Sequence, residues 1–300
     1  MKLTLLVLAL GAAVMIDGTT PDGYKRVCYY QKSNRVKVST IPADLCTHIV
    51  FAFAVIQNWN IEPEVPQDLD LYKQLVDKKT SNPGLKVMVS LQIGSRQLLL
   101  GRLLRWKHSQ KMPLTSCGII TWTESVIDAE TLAEGQERLL FSLALIPSVR
   151  SAAVIYDVPV ISSVVDFATA MTYDYHVFIK NISEVTAYNS PLFTPAGESA
   201  VYSTNATISF YLNAGMDRAK LLLGLATYGR SYTLVSASQH FLHAPASGVG
   251  GPGPVYGLKG FYSYQDSCTE LKGGTRVWDD HSYHTCTRQS MGVVRGYTER

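Results

Sequence analysis

The sequence predicts an α/β protein with a largely parallel sheet, on three observations. Six short runs are apolar almost without interruption: residues 26–30, 48–56, 86–93, 138–146, 165–175 and 220–228. Continuous apolar runs, as opposed to alternating ones, mark strands covered on both faces, as in parallel sheets. Helical patterns lie between several of them, and one of these helices carries both its start and its stop signals. Strands alternating with helices give right-handed βα units, hence a barrel or a doubly wound sheet.

Taken in order, residues 66–79 carry Leu69, Leu71, Leu75 and Val76 at roughly helical spacing after the second run. Thr121 and Glu124 form a capping box and Gly135 supplies the stop, which predicts a helix between them. Residues 202–214 give the helix that leads into the last run. Two regions break the rhythm. Residues 101–118 show neither strand nor helix where a βα unit is due, and from Gln239 onward the chain is loop-rich, with residues 245–254 expected as irregular surface loop.

The 300 residues carry a net charge of +3, too little to indicate nucleic acid or a membrane surface. The one basic cluster, Arg102, Arg105, Lys107, His108 and Lys111, reads as solvated loop. Lys2 precedes an apolar run from Leu3 to Ile16 that is too short to span about 30 Å of hydrocarbon but fits a signal peptide, set here at about residues 1–18. An extracellular, secreted protein follows. Five cysteines in that setting are most simply two pairs and an orphan: Cys28 with Cys46, Cys268 with Cys286, and Cys117 alone. Asn181-Ile-Ser and Asn205-Ala-Thr are glycosylation sequons. His281, His284, His240 and His243 lack a plausible ligand set, so neither metal nor cofactor is expected.

Reacting groups of a parallel barrel sit at the C-terminal ends of its strands. Those ends carry Tyr29, Tyr30, Phe51, Phe53 and Gln92, then Met171, Tyr173 and Asp174, then Tyr228 and Arg230. Aromatic faces with a few hydrogen-bonding groups suit a carbohydrate. Phe51 and Phe53 could equally do no more than close the barrel. Asp174 follows a strand core so apolar that burying its charge without use or partner would be costly.

Met171-Thr-Tyr-Asp-Tyr-His176 resembles the sixth-strand motif of family 18 glycoside hydrolases, the chitinases and chitinase-like lectins. Residues 27–30 resemble the family's first strand, and residues 45–54 its second. Residues 188–193 resemble the loop after the sixth strand, and residues 224–232 the seventh strand. Residues 244–248 and 264–268 resemble the α+β insertion that follows it. The resemblance implies an incomplete (β/α)8 TIM-type barrel over residues 19–300, including an insertion at about 235–280. It implies chitin or chito-oligosaccharide as the ligand of a monomer, with Tyr173 and Asp174 on the N-acetyl group, Met171 beside it, and Arg230 on sugar hydroxyls. Tyr29 and Phe53 would add aromatic surface. The family usually pairs the Cys268 position with a cysteine near its eighth strand.

Family members hydrolyse by substrate assistance: a strand-four glutamic acid protonates the leaving oxygen and the sugar's own N-acetyl carbonyl attacks. Their Asp-x-x-Asp-x-Asp-x-Glu run is absent from this sequence. Asp128 and Glu130 fall on the capped helix, where residues two apart project about 200° apart and cannot converge on one bond. Strands four and eight thus read as missing, and no catalytic residue is assigned. Three readings stay open: a binding protein without hydrolysis, a shortened isoform or gene model of an active chitinase, and a chain with open sheet edges that folds poorly.

Overall fold

The computed structural model describes residues 23–32, 36–57, 60–91, 117–120, 140–270, 275–280, 284–289 and 292–295. The expected signal segment, Gln92, the basic cluster and the helix expected from Thr121 lie outside these residues. The chain divides into two compact units, residues 1–141 and 142–300.

In the first unit, β1 (Val27–Gln31), β2 (His48–Gln57), β4 (Lys86–Leu91) and β5 (Cys117–Ile120) pair in parallel in that order. β3 (Asn60–Pro63) runs antiparallel to β2. The runs expected at 26–30, 48–56 and 86–93 are therefore strands, and α1 (Asp68–Asp77) is the helix expected over 66–79. Ile49, Phe51, Leu75, Leu85, Val87, Val89 and Leu91 are each at most 3% exposed. Phe51 meets Tyr72 of α1 edge to face at 4.7 Å, an arrangement worth roughly 1 kcal/mol beyond burial. Cys28 and Cys46 form the expected disulfide.

β5 corrects an expectation. The place beside β4, read as lacking its strand, is held by Cys117-Gly-Ile-Ile, paired in register from Val87–Cys117 to Ser90–Ile120. Four residues opening on Cys-Gly are too short for a sequence pattern, and the backbone ladder with β4 decides.

In the second unit, β6 (Phe141–Leu145, of which Phe141 is the first unit's last residue), β7 (Phe167–Ala170) and β8 (Leu221–Leu223) are parallel. The helices α2 (Val149–Ile155) and α3 (Val158–Val164) are capped by Ser148 and Asp157. Their 7 residues each are too few for a clear period. α4 (Thr204–Asn213), expected over 202–214, is capped by Ser203 and tied to the end of β6 by Tyr211 Oη donating to the Ile146 carbonyl at 2.7 Å.

A second sheet, antiparallel, runs β10 (Ala246–Val249), β9 (Tyr228–Leu234), β14 (Gly292–Arg295), β13 (His284–Gln289) and β12 (Thr275–Asp279). β11 (Phe261–Ser263) pairs with β9, and α5 (Tyr264–Glu270) follows it. Among its described residues the region expected to be loop-rich carries the short strands β10 to β14 and α5 between stretches of loop, and the loop expected over 245–254 contains β10. A shifted register between Ala246 and Gly248 lets this Gly- and Pro-rich segment pair at an edge. Cys268 is an exposed free thiol on α5, so its expected bond to Cys286 is not formed. Cys268 stands exposed on a helix, and the backbone of Cys286 pairs within the sheet, in register with Val277 and Arg295.

Candidate functional site

Asp174 stands four residues past β7 with φ of +60°. A side chain at positive φ is uncommon, and Asp is among the few that tolerate it. Neighbouring hydrogen bonds hold it there. Asn189 Oδ1 accepts from the Asp174 amide at 3.2 Å, the Asn189 carbonyl accepts from the Tyr175 amide, and Asn189 Nδ2 donates to the Tyr228 carbonyl. Asn189 is fully buried, so its whole amide serves this loop. Thr172 Oγ1 donates to the Gly224 carbonyl and Ser190 Oγ to that of Thr172.

Arg230 reaches Asp174 from β9. Its Nε and one terminal nitrogen both donate to Oδ1, at 2.9 and 2.7 Å, so the guanidinium leaves Oδ2 untaken. The same guanidinium lies 5.4 Å from the Tyr228 ring centre and 5.9 Å from that of Phe261. Tyr228 stacks on Phe261 at 4.5 Å and meets Tyr173 edge to face at 5.9 Å. Burial first, then the Asp174 charge and a hydrogen bond to it, push the Tyr228 phenol well above its usual pKa. It therefore keeps its proton at neutral pH. The result is a carboxylate, a guanidinium and three rings in one cluster, fit to orient a ligand with N–H and hydroxyl groups against apolar faces.

The structure thus gathers Tyr173, Asp174 and Arg230. Met171 is half-buried at the base of the same loop, its amide donating to the Leu145 carbonyl at 2.9 Å. Tyr228 and Arg230 do not end a parallel strand as expected: they are the first and third residues of antiparallel β9, because the chain leaves β8 at Leu223 and re-enters a sheet at Tyr228. Tyr29 (42% exposed) and Phe53 (half-buried, after a cis peptide bond) belong to β1 and β2 of the first unit. Asn189 and Phe261 were not assigned from the sequence. Asn189 lay in a quoted motif but gains its role only through folding, and Phe261 carried no signal of its own. Among the described residues no group of three His, Cys, Asp or Glu side chains is placed to hold a metal ion.

Parallel strands β6 to β8, with an arginine-bound carboxylate beside a cluster of aromatic rings after β7, define an α/β protein with a polar and aromatic site. The sequence model of glycosyl hydrolases family 18 matches residues 25–96 and 120–291, and the chain belongs to that family. It is 30% identical to mouse chitotriosidase-1 over 89% of its own length and 64% of that protein's; the chain therefore spans less than two thirds of this relative. An immunomodulatory active chitinase from Trichuris suis superposes with a TM-score of 0.80 at 26% identity, covering 91% of this chain and 84% of that one. Human YKL-39, described as a pseudo-chitinase with retained chitooligosaccharide binding, shares the fold with a TM-score of 0.76 at 22% identity, over 92% and 86%. The family and these structures imply a (β/α)8 barrel; among the described residues the parallel strands are seen without a closed barrel.

Proposed function

We propose that this chain is a secreted chito-oligosaccharide-binding protein of family 18 that does not hydrolyse its ligand. The observation that carries the reading is the pairing of Asp174 with Arg230 beside Tyr173, Tyr228 and Phe261, while the strand beside β4 reads Cys-Gly-Ile-Ile and bears no acid. The Asp174 carboxylate, which also accepts from Tyr228, would accept the N-acetyl N–H, Met171 would pack beside that group, and Arg230 would turn an N–H toward a hydroxyl. Loss of a general acid alone forfeits about 10²–10⁴ in rate. The apolar leader and the Cys28–Cys46 bond support export, and Asn181 and Asn205 are both exposed, as glycan acceptors must be. No helix of the described residues is long and apolar enough to cross a membrane.

Two assays on the purified chain test this reading. Release of fluorophore from a chito-oligosaccharide glycoside should stay at background, and chitotetraose should bind in the micromolar-to-millimolar range. Turnover within tenfold of an intact chitinase, abolished in Asp174→Ala, would overturn the first half; absence of binding would overturn the second.

A second reading has its own support. The family match skips residues 97–119, the segment before and within β5. A transcript encoding Asp-x-Asp-x-Glu between Gly94 and Thr121 would make this chain a shortened form of an active chitinase.

A further inference from the structure

Glu198 lies in the segment between β7 and α4, and its side chain is only 7% exposed. Each of its oxygens is taken by a different histidine: Oε2 by Nε2 of His176 and Oε1 by Nε2 of His243, both at 2.7 Å. A carboxylate only accepts, so each imidazole presents its Nε2–H to it. The three residues come from three separate segments. His176 stands two places beyond Asp174, and His243 lies between β9 and β10. His243 has φ of +66°, a conformation that costs a non-glycine residue about 1 kcal/mol and that the bond to Glu198 helps to hold. His176 also packs edge to face on Tyr202, and its carbonyl accepts from Tyr232 Oη. Burial opposes the Glu198 charge, but the hydrogen bonds and charges of the two histidines outweigh it and keep the carboxyl below its usual pKa.

We propose that Glu198 is a positioning residue for the Asp174 loop: by accepting from His176 and His243 together it fixes the segment after Asp174, so that ligand binding depends on a carboxylate that touches no sugar. The reasoning is geometric. Asp174 is held from its N-terminal side by β7 and from beside it by Asn189 and Arg230. Beyond Tyr175, the side-chain anchor of the segment is His176, and the carboxylate is its partner. Gln at position 198 would keep the shape and packing. Its amide, however, has one accepting atom, so one of the two imidazoles would face an NH₂ group instead of an oxygen.

This inference rests on the chito-oligosaccharide reading, and the experiment separates the two. Glu198→Gln, Glu198→Asp and His243→Gly are prepared in the full chain, the last also relieving the backbone at position 243. Chitotetraose affinity is titrated, the imidazole N–H resonances are followed by NMR, and hydrogen exchange is measured at the amides of residues 174–178. The expectation is at least a fivefold weaker affinity in Glu198→Gln and His243→Gly. One of the two hydrogen-bonded imidazole N–H signals should be lost in each variant and exchange across 174–178 should be faster, with partial recovery in Glu198→Asp. Wild-type affinity and wild-type exchange in Glu198→Gln would overturn the proposal, since packing alone would then suffice. If the wild type binds no chitotetraose, the sugar reading fails, and the exchange and N–H signals alone decide whether Glu198 positions the loop.

Discussion

At Gly224 a Cβ would land on the Ala170 carbonyl and stand 3.1 Å from the Tyr173 ring, so the close approach of the β8 end to the β7 end needs this glycine. Gly224→Ala should cost about 2 kcal/mol and, by displacing Tyr173, weaken sugar binding as well. A urea midpoint equal to that of the wild type would show that the two segments can separate without cost. Asp174 allows a sharper comparison, because Asn tolerates positive φ as Asp does and Ala does not. Asp174→Asn and Asp174→Ala should both lose affinity for chitotetraose by about tenfold or more, the worth of a charge-assisted hydrogen bond of ~1.5–3 kcal/mol. Only Asp174→Ala should also be destabilised, by about 1 kcal/mol, read as a lower melting temperature. Equal affinity in wild type and Asp174→Asn would remove this carboxylate from the site. At this scale the sequence was informative where a residue breaks its surroundings: Asp174 is conspicuous after an apolar strand. Asn189, Glu198 and His243 were not, since nothing local marks a polar residue whose partners lie 15, 22 and 45 positions away.

The elements divide along the same line. β1, β2, β4 and α1 were readable because each is a complete pattern, an apolar run or a helical stripe, and each follows its neighbour closely in sequence. β8 is only Leu221–Leu223 of the run expected over 220–228, the remainder turning away at Gly224 into β9. The antiparallel sheet escaped because β10 and β11 hold 4 and 3 residues, too few for alternation to emerge, and their pairing to β9 depends on distant chain. One link between elements was legible from spacing alone, the Cys28–Cys46 bond from β1 to the residue two places before β2. It closes a loop with a sequence separation of 18, for which the chain-entropy relation gives about 3 kcal/mol of stabilisation. Replacing both cysteines by Ala should lower the unfolding free energy by roughly that amount. An unchanged urea midpoint under oxidising conditions would show the bond to be dispensable for β1.

On the scale of the whole molecule, two buried groups make stability depend on acidity in the same direction but in successive windows. His48, on β2, is 3% exposed, with Nδ1 2.8 Å from Thr47 Oγ1. Burial first, then Lys25 and Lys86, lower its pKa to about 4 from an ordinary value of 6.5. The unfolded chain therefore binds a proton at this residue between pH 6.5 and 4 that the folded chain refuses. Stability contributed by the neutral imidazole is present above pH 6.5 and lost progressively down to about pH 4, in total about 3 kcal/mol. Glu198 follows: its depressed carboxyl stabilises the fold above its ordinary value of 4.5, and that contribution is lost as pH falls further. Urea midpoints measured by circular dichroism should therefore fall steadily from pH 7 to 4.5, with a steeper loss below. His48→Gln, which cannot titrate, should flatten the upper window and leave the lower one. Glu198→Gln should do the reverse. A wild-type midpoint constant between pH 7 and 4.5 would mean that His48 gains its proton in the folded chain as readily as in the unfolded one, and that its burial does not govern the acid response.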